Sequence, residues 1–83
     1  MKIVPTVGRV IWFYESNNQV EPKAAIVAKV WSDEVVNVMV VEENGTTKPA
    51  TSVRLFQENE IPNITPYAKW MPYQIGQAKK AAE

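Results

Sequence analysis

The chain contains no cysteine and no histidine. The first absence removes disulfide staples and thiol nucleophiles. The second removes imidazole acid–base chemistry, and together they remove zinc sites built on those ligands. Net charge is missing too: nine Lys plus Arg balance nine Asp plus Glu over 83 residues. A protein that grips a nucleic-acid backbone wants a cationic excess, and an acidic solvating tail wants the opposite. No apolar run approaches the length of a membrane span, so no membrane partner is expected. Met1 and Lys2 precede only Ile3 and Val4 before Pro5, so no secretory signal is expected either. The three glycines, Gly8, Gly45 and Gly76, are too far apart to make a phosphate-cradling loop.

Carboxylates are present, but they fall in turns and at strand ends. Asp33-Glu34 and Glu42-Glu43 are sequence neighbours, not groups converging on a cleft. With no nucleophile–base pair and no ligand cluster in the chain, neither an enzyme, a metal site nor a cofactor is expected. A single domain of this length buries roughly 60–65% of its unfolded surface, so its core is thin.

The apolar residues are mostly Val and Ile in short runs, which is strand vocabulary. A first strand is expected over Thr6–Tyr14. Val10, Trp12 and Tyr14 share one face and Ile11 and Phe13 the other, so both faces are apolar and both should be covered. Gly8 within it marks a bend, a bulge or a close backbone approach. A polar loop, Glu15–Pro22, leads to a second strand over Ala24–Ser32, with Ile26, Ala28 and Val30 opposite Val27, Lys29 and Trp31. A tight turn at Ser32-Asp33-Glu34 makes a hairpin with a third strand, Val35–Glu42, whose Val36, Val38 and Val40 share a face. Asn44-Gly45 is the strongest turn signal and fits a type I′ turn, with positive φ at both residues. A fourth strand, about Thr47–Leu55, follows, with Pro49 at an edge or bulge. The segment 57–66 is a long connection carrying Pro62 and Pro66. Tyr67–Tyr73 is aromatic and suits a short last strand, and Ile75–Glu83 a weak helix or frayed tail.

The expected fold is all-β: a small, strongly bent antiparallel sheet or five-stranded barrel of Src-homology-like or Sm-like connectivity, with a short C-terminal tail or helix. An open antiparallel meander is the alternative. Residues 1–74 form the single β domain and residues 75–83 the tail. Because the first and third strands are apolar on both faces, and a thin core gains from association, a homo-oligomer is expected, most simply a symmetric dimer, with larger rings as the alternative.

Arg9 and Arg54 are the only arginines. Arg9 sits beside Gly8 and after Thr6. A strand arginine is equally a solvated edge charge or a planar donor aimed at a phosphate or carboxylate, and Gly8 would let a ligand approach the backbone. Three tryptophans are many for a thin core. Trp70-Met71-Pro72-Tyr73-Gln74 is the least core-like cluster, readable as a lid on the barrel end or as a stacking platform.

Several short pieces recur together: P-T-V-G-R-V-I at Pro5–Ile11, A-A-I-V at Ala24–Val27, V-N-V at Val36–Val38, N-G at Asn44-Gly45, T-S-V at Thr51–Val53 and W-M-P-Y at Trp70–Tyr73. In order and spacing they resemble a group of small proteins encoded by tailed bacteriophages and prophages, over about Pro5 to Gln74. The resemblance implies a phage accessory protein acting in the cytoplasm of the bacterial host. By analogy of size and class with phage proteins that act as sponges for nucleotide immune signals, the expectation is non-enzymatic sequestration of a small phosphorylated ligand, a cyclic nucleotide or ADP-ribose type, against bacterial anti-phage defence. Trp70, Tyr73 and Tyr14 would stack on its base. Arg9, Lys23 and Arg54 would meet its phosphates, with Thr6, Thr51 and Ser52 as hydroxyl donors and Gly8 giving access to backbone. The competing readings are an adaptor or inhibitor that binds a host or phage protein, and a single-strand nucleic-acid binder, against which the zero net charge weighs.

Overall fold

Alternation of branched apolar residues with larger or polar ones builds a barrel wall, and the chain does this over five strands. In the structure, a computed structural model describing residues 2–16 and 21–82, they are β1 (Val10–Tyr14), β2 (Lys23–Ser32), β3 (Val35–Val41), β4 (Thr47–Phe56) and β5 (Tyr67–Lys69), followed by helix α1 (Pro72–Ala82). They close into a barrel in the order β1-β2-β3-β4-β5. All neighbouring pairs are antiparallel except β4 and β5, which run parallel across the connection 57–66. The fold is thus the expected five-stranded barrel with a short C-terminal helix, and closure excludes the open meander. Part of the loop expected over Glu15–Pro22 lies outside the described residues.

The interior is filled by Ile11 and Phe13 from β1, Ala25 and Val27 from β2, Val36, Val38 and Val40 from β3, Val53 and Leu55 from β4, and Ala68 from β5. Trp70 closes the cluster just beyond β5. No helix among the described residues is long and apolar enough to cross a membrane.

Three local features depart from simple alternation. The register shifts between Val27 and Lys29 and again between Val30 and Ser32, so β2 carries an extra residue at each place. The first shift exchanges the two faces. Ala25 and Val27 point inward before it, and Val30 rather than Trp31 packs on the core beyond it. On β4 a similar shift lies between the partners of Val36 and Val38. There Ser52 takes a φ of 53°, and its N–H donates to Asn37 Oδ1 at 2.8 Å. In the β3–β4 turn only Gly45 has positive φ, at 89°. The Gly45 N–H donates to the Glu42 carbonyl and the Glu42 N–H to the Thr46 carbonyl, at 2.9 and 2.7 Å. This is a type I turn ending in a glycine bulge, not the expected type I′ turn. Asn44 instead uses its Oδ1 to accept from the Thr46 N–H and hydroxyl.

The first strand is shorter than expected. Residues 6–9 form a turn, closed by the Arg9 N–H donating to the Thr6 carbonyl at 3.2 Å, with Gly8 at φ 92°. A type II turn needs that conformation at its third residue, which is why glycine stands there. At the other end, the helix starts at Pro72, three residues before the expected tail. Proline at the first helical position loses no hydrogen bond. The Gln74 side chain accepts from the Met71 N–H at 2.9 Å, the reciprocal arm of a capping box, and donates to the Val10 carbonyl at 2.6 Å. One glutamine thus both starts the helix and ties it to β1.

Four charges close one end of the barrel wall. Lys23 lies 2.9 Å from Glu15 and 2.6 Å from Glu42, and Lys48 lies 2.9 Å from Glu42 and also meets Glu15. Hydrogen bonds from the two lysines hold both carboxyls below their ordinary value, with the Lys48 bond leading for Glu15 and the Lys23 bond for Glu42. A depressed carboxyl contributes stability that is complete above its unfolded value and is lost as pH falls through its folded value. The double variant Glu15→Gln/Glu42→Gln is therefore expected to melt lower than the parent at pH 7 and to converge with it as pH falls through the depressed folded values of the two carboxyls. Melting curves that stay parallel across that range would show that the network contributes nothing.

Candidate functional site

The outer face of the barrel at β1 and β5 is aromatic. Trp12 stands opposite Lys69 and Tyr14 opposite Tyr67. The strand period points these four outward, away from Ile11, Phe13 and Ala68. Tyr14 and Tyr67 stack, with centroids 4.9 Å apart, and Phe56 meets Tyr67 edge-on at 5.9 Å. Such pairs fix ring orientation beyond simple burial. Burial, with Tyr67 as a lesser cause, raises the Tyr14 pKa above its ordinary value, so a hydroxyl that is neutral at pH 7 in any case keeps its proton to still higher pH.

Helix α1 stands beside this face and leaves a cleft of about 370 Å³. Trp12, Tyr14 and Trp70 form its aromatic side, and Ile75 and Gly76 its helical side. Lys69 and Lys79 bring two cations, and Glu58 one carboxylate. Lys79 Nζ lies 2.8 Å from Glu58 Oε2. The size falls within the range of small-molecule sites, which are mainly apolar with a few placed polar groups. Trp70 adds a further property. It is 2% exposed, and its indole Nε1 has no hydrogen-bond partner among the described residues. A buried donor left unpaired costs about 1–3 kcal/mol. Among the described residues, no three acidic side chains gather as a metal site would require.

The residues singled out from sequence divide sharply. Tyr14 and Trp70 line the cleft. Trp70 is not an exposed platform, because its ring is part of the core; its edge of the cleft is a wall. Arg9 is exposed, with its guanidinium carbon 5.6 Å from the Trp70 ring centroid, but it does not line the cleft. Thr6 and Gly8 lie in the turn before β1. The Gly8 N–H is engaged by the Val27 carbonyl at 2.8 Å, so that donor is taken. Lys23 is held in the charge network by two carboxylates. Thr51 and Ser52 sit on β4 at the bulge facing Asn37. Arg54 lies 3.6 Å from Glu34 and over the Phe56 ring. Tyr73 is on α1 and 74% exposed, outside the cleft.

The cleft residues that sequence reasoning passed over are Trp12, Glu58, Lys69, Ile75, Gly76 and Lys79. Two signals pointed to them. Trp12 shares a strand face with Tyr14, and Ile75 and Lys79 share a helix face at a spacing of four. No family model, curated protein or solved structure matches the chain.

Gly76 bears on the cleft directly. A Cβ at this position would meet nothing within 4 Å, and its φ is not positive. Packing therefore does not require glycine in mid-helix, where it costs roughly 0.5–1 kcal/mol relative to alanine. Gly76→Ala is expected to stabilise the protein by about that amount. Chemical denaturation measures it, and a destabilised variant would mean that the helix needs the glycine.

Proposed function

We propose that the protein binds and sequesters, without turning over, a small phosphorylated ligand that carries a planar ring, in the cleft between the β1–β5 face and α1. One observation carries this reading: a single cleft joins aromatic walls, two lysines and a helical side left open by an otherwise unfavourable glycine. Rings offer stacking surface worth about 1–3 kcal/mol per base, and ammonium groups meet phosphate as point charges. The neutral Tyr14 hydroxyl adds a donor without repelling an anion. Among the described residues the one carboxylate lining the cleft, Glu58, is paired with Lys79. In the setting implied by the resemblance to phage accessory proteins, the ligand is a nucleotide signal of bacterial immunity and sequestration blunts the defence. Native mass spectrometry against nucleoside phosphates and cyclic nucleotides tests the reading. The expected result is one ligand per chain, released chemically unchanged, with Lys69→Gln weakening binding and Gly76→Phe abolishing it. No bound nucleotide, or binding indifferent to Gly76→Phe, would overturn the assignment.

A second reading, contact with another protein chain, is favoured by the outer face of β1 to β4. Val10, Ile26, Met39 and Pro49 pair in register from β1 to β4 and make one apolar row on the outer face. Val10 and Met39 are 38% and 39% exposed. The homo-oligomer anticipated from the apolar faces of the first and third strands would use this row. Light scattering at two protein concentrations distinguishes the cases. An oligomer that Met39→Asp converts to monomer supports this reading, and a monomer at every concentration removes self-association from it.

A further inference from the structure

The cleft continues past Lys79. A smaller cavity of about 120 Å³ adjoins it and shares Glu58, Ile75 and Lys79 with it. The two chambers differ in chemistry. The larger is walled by indole and phenol rings. The smaller adds the amides of Gln57 and Asn59, with Ile3 and Ala78 closing it. Gln57 is fixed in place: its Oε1 accepts from the Ile3 N–H and its Nε2 donates to the Ile3 carbonyl, both at 3.1 Å. Among the described residues, that leaves one amide N–H and one lone pair of Gln57 unspent. Amides beside a carboxylate suit hydroxyl groups, since each hydroxyl both donates and accepts. Aromatic walls do not offer this.

The Lys79–Glu58 pair stands where the chambers meet. Its side chains are 57% and 52% exposed. An exposed pair of this kind contributes little to stability, so Lys79 can turn from Glu58 to a phosphate at small cost. A ligand crossing from one chamber to the other would carry its phosphate past this ammonium.

We propose that the two chambers take one ligand in two parts: a planar base in the larger chamber, a hydroxyl-rich sugar in the smaller, and the joining phosphates at Lys79. The ligand class is a nucleoside diphosphate sugar. This rests on the reading of the larger chamber as a site for a ring-bearing phosphate and adds a second subsite to it.

Calorimetric titration with AMP and with ADP-ribose tests the addition. The two probes share base, ribose and first phosphate, and only the second carries the hydroxyl-rich half. ADP-ribose is expected to bind the parent protein at least about tenfold more tightly than AMP, the gain of one or two added hydrogen bonds. Ala78→Trp fills the smaller chamber without lining the larger. Asn59→Ala, in an exposed loop, removes one amide without threatening the fold. Each is expected to cut the ADP-ribose advantage severalfold and leave AMP affinity within about twofold, a smaller change than one lost hydrogen bond produces. Equal affinity for the two probes, or an advantage that survives both variants, would overturn the second subsite while leaving the first standing. Failure of both probes to bind would overturn the subsite together with the reading beneath it.

Discussion

Tyr67–Lys69 is a strand of three residues that pairs on both sides, antiparallel to β1 and parallel to β4. The rest of the molecule depends on this double pairing. It satisfies the outer backbone groups of β1 and β4 at once and removes the two edges that an open four-stranded sheet would present. Ala68, at the centre of β5, is fully buried. Its neighbours turn outward, where Tyr67 stacks on Tyr14 and Lys69 stands opposite Trp12. The next residue, Trp70, returns to the core, and Pro72 then starts the helix. Closure, core and cleft wall are thus set within six residues of chain (67–72).

Much of the barrel was legible in the sequence because strand period and turn chemistry are local. Val36, Val38 and Val40 point inward as their alternation requires. The long connection read over 57–66 is present and leads to β5, which pairs with both β1 and β4. What was not legible were the places where an extra residue breaks the period. The first bulge of β2 reverses the parity after Val27 and the second restores it, and no single residue type announces them. The helix start was missed for a different reason. Pro72 and Gln74 are capping residues, but beside Trp70 and Tyr73 they read as part of an aromatic cluster.

The site was legible only in part, for a related reason. Reading along the chain gathers residues that are unusual one by one, such as Arg9, Arg54 and Tyr73. A cleft gathers residues that are ordinary in sequence and adjacent in space. Lys69 and Lys79 look like solvated charges until β5 and α1 bring them to one opening. Most of the conspicuous charges have partners instead: Lys23 in the four-residue network and Arg54 with Glu34. The cations at the cleft are the ones with less to hold them. Lys79 fits this pattern through a solvent-exposed pair that yields easily.

The three tryptophans occupy three environments. Trp31 is 58% exposed, with its indole N–H on Asn37 and Lys29 above its ring. Trp12 is half-buried on the cleft wall, and Trp70 is in the core. The protein's intrinsic fluorescence is therefore a sum of three separable signals. A dissolved quencher reaches Trp31 first, a molecule in the cleft shields Trp12, and the emission of Trp70 shifts to the red only when the barrel opens. The chain carries its own optical gauge of surface, cleft and core, with no label attached.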